Sequence, residues 1–381
     1  MSEIKVNSIK GVSATSAAIT INNTDGSCTA NLTNRTNKNL IINGAMNVAQ
    51  RGAASTISGY GSVDRFRVFF TGVDENPTQA QADVVAGTTP YTSGFRKCIK
   101  VTNGNQTSGA GAGDYIVIRQ TIEAQDMANS GWNYTSSSSN VTLQFWIKSS
   151  VAQNFYGRLV TQDGTSYNYP FETGSLSADT WTKITKTIPG NSNLTFNNDN
   201  GSGLRVEVAP FYGTNYTASP SLDTWAAQSS SSRTPDYTST WYTTDDATLE
   251  ITGLQLEVSD HATDFEHRSF AQELTLCRRY CQVYVSPRLR GVLASATQFQ
   301  RMGFSFLEEM RAAPSAEWGG TQDVYAGSGT ASITGQSVVY TNTHSYETDA
   351  STSGSLSVGS GSSVCAYIGG NEATLTLTAE L

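Results

Sequence analysis

Apolar and polar residues alternate in many short segments of this chain, and this alternation predicts β-strands. The clearest segment is 141–149, in which four apolar residues share one face and Trp146 lies among the polar residues of the other. Similar segments, separated by Gly, Asn and Ser in the manner of turns, lie at residues 63–70, 79–86, 95–102, 115–123, 155–163, 180–188, 203–211 and 247–258. Their number and spacing predict a jelly-roll β-sandwich over residues 56–265, with one short helix at 122–128.

The segment 252–284 connects this sandwich to the rest of the chain through a strand, a turn and an amphipathic helix. The alternation within 249–258 changes phase at Thr252–Gly253, which predicts a β-bulge there. Ser269 and Gln272 have the N-cap and N3 spacing of a capping box, so we expect a helix to begin at this point.

We expect this helix to extend over residues 269–283 as part of a linking segment, 266–284. On a helical wheel its apolar residues form two adjoining stripes, with the acidic Glu273 between them. A buried carboxylate requires a partner, so Arg268 or a neighbouring subunit is expected to pair with Glu273. The two stripes consist of Phe270, Leu274, Cys277 and Cys281, and of Leu276, Tyr280 and Val283. The helix is therefore expected to join two modules, with a contact between subunits as an open alternative.

Weaker patterns lie on either side of this central region. Residues 1–55 contain short, imperfect alternations that could not bury a core, so we expect an extended arm that a partner orders. Residues 285–381 contain short strand signals separated by Gly-Ser turns, which predict a small C-terminal β domain. The predicted fold class is therefore all-β: an N-terminal arm, a large sandwich, a linking helix and a C-terminal tip domain.

The composition supports this assignment and limits the partners. Only 15% of the 381 residues are charged, so Ser, Thr, Asn and Gly must supply most of the polar surface, as in β-proteins with tight turns. The formal net charge of −8, without a basic stripe, argues against a nucleic-acid partner. No run approaches the roughly 20 apolar residues of a membrane helix, and the first residues lack a signal-peptide pattern. We therefore expect synthesis in a cytoplasm and no membrane insertion.

No group of residues has the spacing of a metal site. The two histidines near Cys277 and Cys281 do not match a zinc motif, and we expect these cysteines to act as small buried hydrophobes. Asp163, Asp199 and Asp245–Asp246 offer the oxygen ligands that calcium prefers, but each also fits an ordinary turn. We predict no cofactor and leave a structural calcium open. The odd number of scattered cysteines, Cys28, Cys98, Cys277, Cys281 and Cys365, argues against a disulfide framework.

Catalytic patterns are also missing from the sequence. It contains no nucleophile-elbow, nucleotide-binding or parallel β-helix signature, and the mere presence of carboxylates does not indicate a glycosidase pair. We therefore predict that the protein is not an enzyme.

The segment 212–242 is the best candidate for ligand binding. It lacks regular periodicity and is rich in Ser, Thr and aromatic residues, as binding loops on a rigid sandwich often are. Its aromatic faces could stack on sugar rings, or they could fill the ends of the sandwich or a subunit interface. The candidate ligand-binding residues are Trp225, Tyr237, Trp241 and Tyr242.

Several segments resemble those of bacteriophage tail-fibre and related virion proteins. LIINGAMNVAQRG at 40–52 resembles the opening that precedes the sandwich in those proteins, and the segment 252–284 resembles their QLEVG…AT-FE-RS…EL-LC-RYY signature. EMRAAPS at 309–315 resembles a turn of their C-terminal domains. Three further segments resemble the carbohydrate-binding-module-like jelly rolls of phage fibres: DRF at 64–66, RQTIE at 119–123 and LQFWIKS at 143–149.

This resemblance implies a virion fibre subunit, located in the phage tail after assembly in the host cytoplasm. It implies a homotrimer, attachment to tail proteins through residues 1–50, and recognition of a host-surface glycan by the sandwich or the tip. Two alternatives stay open. One is a head or neck decoration protein that serves as a spacer, and the other is a polysaccharide-degrading tailspike.

Overall fold

The computed structural model describes residues 37–287, 289–326, 329–354 and 373–381, together with 6–10, 12, 19–22, 24, 28–30 and 363–364. Most of residues 1–36, the first part of the predicted arm, therefore lies outside the described residues. The described pieces of that region include three short antiparallel strands: β1 Ser8–Ile9, β2 Ile19–Ile21 and β3 Cys28–Ala30. Cys28 and Cys365 lie where no side chain is described.

The body of the protein is a sandwich of two six-stranded antiparallel sheets. Its strands in chain order are β4 Ala54–Ser55, β5 Phe66–Thr71, β6 Thr78–Asp83, β7 Lys97–Thr102, β8 Tyr115–Glu123, β9 Asn140–Ser149, β10 Asn154–Thr161, β11 Tyr167–Ser175, β12 Thr182–Pro189, β13 Ser202–Tyr212, β14 Ala226–Ala227 and β15 Thr248–Val258. The first sheet has the order β14-β11-β10-β13-β8-β5, and the second has β12-β9-β15-β7-β6-β4. The predicted all-β class with a large sandwich is confirmed.

One hydrophobic core fills the space between the two sheets. It forms because alternate residues of each strand face inward, as Leu143, Phe145 and Ile147 do on β9, where each is 0% exposed. Burial of each such side chain contributes about 1.5–3 kcal/mol. The intervening residues face outward, and on each sheet some of them form a second, smaller apolar cluster.

Short helical segments connect some of the strands. They are α1 Thr89–Thr92, α2 Ala124–Ala128, α3 Thr240–Thr243 and a 3-10 turn at Thr214–Tyr216. The short helix predicted at 122–128 is confirmed as α2, but it begins at Ala124, because Ile122 and Glu123 belong to β8. No helix within the described ranges is long and apolar enough to span a bilayer.

The predicted arm of residues 1–55 includes residues that belong to the body of the protein. Ile41, Met46 and Val48 are at most 1% exposed, and Ile41 and Met46 belong to the sandwich core. Residues 54–55 form β4, which pairs with β6. The prediction of an extended arm is therefore wrong from about residue 39 onward, because apolar residues of this segment pack into the sandwich core.

The predicted bulge in β15 is confirmed. The register between β15 and β9 shifts between Thr252 and Gln255. Gly253, inside this shift, has a φ of +66°, which glycine adopts without the steric cost of a Cβ. The phase change of the alternation thus keeps both Ile251 and Leu254 in the core.

The linking helix α4 spans Phe270–Arg278 and begins with the predicted capping box. It ends earlier than the predicted residue 283, since Cys281–Val285 forms the strand β16. Phe270, predicted on a buried stripe, is 58% exposed. Half-buried side chains are found at Leu274 and Leu276. The buried residues of the helix are Glu273 and Cys277. Tyr280 and Cys281, which follow the helix, are also buried.

Strand β16 begins a β-rich C-terminal module. Its further strands are β17 Arg290–Ser295, β18 Gln298–Ser305, β19 Ser315–Gly319, β20 Asp323–Ala326, β21 Gly329–Thr341, β22 Ser345–Thr352, β23 Ser363–Val364 and β24 Thr374–Thr378. They form a three-stranded sheet, β16-β24-β19, and a six-stranded sheet, β20-β21-β22-β18-β17-β23. Two small cores of their own support these sheets.

Glu273 and Arg268 hold the segment before β4 against the linking segment. Arg268 Nη1 lies 3.6 Å from Glu273 Oε1, so the predicted pairing is confirmed. The backbone N–H of Asn43 donates to the same oxygen at 2.5 Å. Arg268 also donates to the carbonyls of Ile41 and Asn39. Burial raises the pKa of Glu273, and the contacts with Asn43 and Arg268 offset part of that effect.

Arg65 connects the sandwich to the C-terminal module. It is 0% exposed, and its guanidinium donates to the carbonyl of Thr121 at 2.5 Å and pairs with Glu380. The same group lies 3.4 Å from the ring centroid of Tyr280. Burial by itself would lower the pKa of Arg65, but Glu380 and the tyrosine hydroxyls outweigh it, so the pKa is raised. Arg279 and Glu123 form a second ion pair, in which Arg279 Nε lies 2.8 Å from Glu123 Oε1.

We expect the substitution Arg65→Ala to lower the free energy of unfolding by about 3–5 kcal/mol, because it leaves Glu380 buried without its closest partner. Chemical denaturation of the purified variant measures this. Arg301→Ala is the control, since Arg301 is an exposed arginine that pairs with Glu347 at 3.6 Å. Its removal should cost at most about 0.5 kcal/mol. Equal losses for the two variants would contradict the assignment.

Candidate functional site

A pocket of about 320 Å³ lies on the outer face of the second sheet. Its walls come from β9, β12, the bulge of β15 and the loops at residues 93–95 and 264–267. The lining residues are Ser93, Phe95, Gln144, Trp146, Lys183, Gly253, Asp264, Phe265 and His267. We refer to it as the aromatic pocket.

Strand alternation places Trp146 in this pocket. Its neighbours Phe145 and Ile147 face the core, so the indole must face outward. Trp146 is directly opposite Lys183 on β12 and Thr252 on β15. The ring is half-buried, with part of its surface open to the pocket.

The bulge at Gly253 lets Phe95 form the floor. A Cβ at this glycine would lie 2.6 Å from Phe95 Cζ, which is closer than real side chains approach. Phe95 is 2% exposed and contacts Phe265 edge to face, with their ring centroids 4.8 Å apart. His267 packs against both rings at centroid distances of 5.1 and 4.9 Å. The pocket therefore has a rigid aromatic floor and wall.

Polar groups surround these rings. Lys183, Asp264 and His267 are exposed at the rim. His267 Nε2 lies 3.1 Å from the carbonyl of Ser93, which fixes the imidazole against the loop. Gln144 is buried and donates to the carbonyl of Thr263 at 2.6 Å, so its amide supports the wall. The lining contains one carboxylate, whereas glycoside hydrolysis by the usual mechanism uses two. The arrangement suits binding.

The four residues predicted to contact ligand lie in the sandwich itself. Trp241 and Tyr242 are 0% exposed, and the Tyr242 hydroxyl donates to Asp114 at 3.0 Å. Trp225 is 8% exposed and its indole donates to the carbonyl of Pro189. The prediction of ligand contact is wrong for Trp241 and Tyr242, because their rings complete the core.

Tyr237 is also a packing residue. It is half-buried against the core, and its hydroxyl donates to the carbonyl of Tyr156 at 3.1 Å. The segment 212–242 thus folds back over the end of the sandwich, the structural alternative left open by its sequence. Its aromatic residues stabilise the fold at this end.

Two of the aspartates considered for calcium accept hydrogen bonds from other residues of the protein. Asp163 accepts two hydrogen bonds from Asn197 at 2.9 Å, and Asp199 accepts one from Gly201. Across the residues that the structure describes, no group of three or more His, Cys, Asp or Glu side chains could hold a metal ion. Cys277 and Cys281 are free and 0% exposed, as expected for small buried hydrophobes.

Sequence reasoning missed the aromatic pocket, although one signal for it was present. Trp146 occupies a polar-face position on the cleanest strand, and a large aromatic residue there indicates a contact outside the core. Phe265 and His267 lie in the segment that resembles the phage signature, but no periodicity connects them to Trp146. The contact depends on strand register, which the sequence does not specify.

Comparison with known proteins gives only distant similarity. No family model matches the chain, and no curated protein matches it. A solved domain of bacteriophage CBA120 tailspike protein 4, described as enzymatically active, is 9% identical with a TM-score of 0.32; the match covers 58% of this chain and 21% of that one. The N-terminal cellulose-binding domain of a Cellulomonas fimi β-1,4-glucanase is 9% identical, with a TM-score of 0.27 and coverage of 56% and 98%.

A third similar structure is the family 11 carbohydrate-binding module of a Clostridium thermocellum cellulosomal cellulase. It is 11% identical with a TM-score of 0.26, and the match covers 57% of this chain and 98% of the module. This chain thus spans about a fifth of the tailspike domain's length but nearly all of each binding module. TM-scores this low support no functional conclusion.

The substitution Gly253→Ala should lower the free energy of unfolding by about 1–3 kcal/mol, since the new Cβ would have a positive φ and would displace Phe95. Chemical denaturation measures this loss. Gly335→Ala is the matched control, because no heavy atom lies within 4 Å of a Cβ at that position. If both alanine variants are equally stable, the bulge does not constrain the pocket.

Proposed function

We propose that the protein is a carbohydrate-binding structural protein and that the aromatic pocket holds a sugar ring. The observation that carries the proposal is the half-buried face of Trp146 between an aromatic wall and exposed polar groups. The apolar face of a pyranose can pack against an aromatic ring, which buries area without removing a polar group from water. A volume of about 320 Å³ is at the small end of the range for ligand sites.

The polar groups at the rim complete this recognition. Lys183 and Asp264 can donate to and accept from sugar hydroxyls, and both are exposed. His267 can serve in either role according to its tautomer. Because the aromatic floor is fixed by the core and the bulge, little side-chain entropy is lost on binding.

We further propose that the protein acts in a bacteriophage particle as a tail-fibre subunit. The two segments that resemble phage signatures, 40–52 and 252–284, are far apart in sequence but are in contact through Asn43 and Glu273. Contact between the two segments supports treating them as one structural unit. Attachment to the tail through residues 1–50, a homotrimeric state and location in the virion tail belong to the same proposal.

The substitution Trp146→Ala should raise the Kd for a bound glycan by about 10- to 30-fold, because it removes the stacking face. A glycan array with the full chain identifies the ligand, and calorimetry with that ligand measures the Kd. Trp146→Phe keeps an aromatic face and should restore part of the affinity.

Tyr340→Ala removes a 53% exposed aromatic residue of the C-terminal module and should leave the Kd unchanged. Equal affinity of Trp146→Ala and the unsubstituted protein would overturn the assignment of the pocket. Failure of the full chain to bind any glycan would favour the spacer role.

A further inference from the structure

A row of charged residues crosses the outer face of the first sheet, opposite to the aromatic pocket. Arg67, Arg119, Glu207 and Arg158 are directly paired across the neighbouring strands β5, β8, β13 and β10. Arg205 lies on the same face of β13, two residues from Glu207. We refer to these five residues as the arginine row. Four arginines and one glutamate give the arginine row a net charge of +3, in a chain whose formal net charge is −8.

The one carboxylate of the row, Glu207, forms ion pairs with two of the arginines. Glu207 is 1% exposed, and its oxygens accept from Arg119 Nε and Arg158 Nε, both at 2.6 Å. Burial by itself would raise the pKa of Glu207, but the two guanidiniums outweigh it and lower the pKa to about 2. Glu207 is therefore ionised at neutral pH and balances only part of the positive charge.

Arg205 has no carboxylate of its own. No ion pair or side-chain hydrogen bond joins Arg205 to another of the described residues. Burial and the neighbouring charge of Arg119 lower the pKa of Arg205 to about 10, so it still carries its charge at neutral pH. Arg67 adds to the repulsion, because like charges directly opposite each other destabilise a sheet.

Several buried polar atoms on this face also lack partners within the described part of the chain. They include Arg205 Nε, Arg158 Nη1 and the hydroxyl of Thr121, which is directly opposite Arg205. Thr121 is 1% exposed and Arg158 is 4% exposed. Unpaired buried polar atoms cost about 1–3 kcal/mol each, and proteins rarely retain them without a use.

Aromatic rings lie next to the open end of the arginine row. The guanidiniums of Arg67 and Arg119 lie 5.1 and 4.2 Å from the ring centroid of Phe69. The other end, near Arg158, is covered by the segment 212–242 through the contact of Tyr237 with Tyr156. Arg67, Arg119 and Arg205 are half-buried and reach the surface. Half-buried arginines thus reach the surface beside the buried ring of Phe69.

We propose that the arginine row is a second binding site, which takes the carboxylate of an acidic sugar. A guanidinium presents a planar fork of N–H donors that matches the two oxygens of a carboxylate. Arg205 supplies the free fork, and Arg67 and Arg119 supply further positive charge. The choice of a sugar as the carrier rests on the proposed function, whereas the anion site itself rests on this face alone.

Calorimetry with the full chain tests the site, with an α-1,4-linked tetragalacturonate as the probe and its carboxyl-reduced form as the neutral analogue. We expect saturable binding of the acidic oligosaccharide, weakened by added salt, and no comparable binding of the neutral analogue. Arg205→Gln should weaken binding at least about tenfold, since it removes a charge-assisted contact. This variant should fold, because Arg205 has no ion pair to lose.

Arg301→Gln is the matched control, because it removes the same charge from the C-terminal module, and it should leave the affinity unchanged. Arg67→Gln serves as a second variant and should also weaken binding. Competition by inorganic sulfate would support the anion site. Equal binding by Arg205→Gln, or equal binding of the neutral analogue, would overturn it. Trp146→Ala should not alter this affinity, so the experiments test the aromatic pocket and the arginine row independently of each other.

Discussion

The buried guanidinium of Arg65 is the constraint on which the arrangement of the two modules depends. A buried charge requires an opposite charge and hydrogen-bond partners, and no single neighbour of Arg65 provides both. The Thr121 carbonyl belongs to the sandwich, Tyr280 follows the linking helix and Glu380 follows the last strand. These three contacts come from different parts of the chain, so the guanidinium of Arg65 connects the sandwich, the linking segment and the C-terminal module to one another.

The two outer faces of the sandwich differ in chemistry although they enclose the same core. Inward residues on both sheets are aliphatic and aromatic, and their packing decides the fold. Outward residues are free of that requirement. On the second sheet they form the aromatic pocket, whose rim carries one lysine, one aspartate and one histidine, and on the first sheet they form the arginine row. The two outer faces therefore differ in charge and in aromatic content.

Sequence patterns predicted the features that depend on neighbours in the chain. Alternation located most strands, the phase change located the bulge and Ser269 located the start of the helix. Strand β11 was missed because Pro170 interrupts its alternation. The end of α4 was missed because Tyr280 and Cys281 fit both a helical stripe and a strand. The arginine row was invisible, since it exists only through the register of four strands. Ligand binding was predicted for the segment 212–242 because the sequence does not distinguish buried aromatic residues from ligand-binding ones.

The pairing of Arg65 with Glu380 also has a consequence for synthesis. The two residues are 315 positions apart, so a ribosome adding about 5–20 residues per second needs roughly 15–60 s to supply the second after the first. The strands of the sandwich leave the ribosome during that interval while Arg65 still lacks its carboxylate. Until Glu380 has been added, the guanidinium of Arg65 therefore depends on water or on its other neighbours for partners.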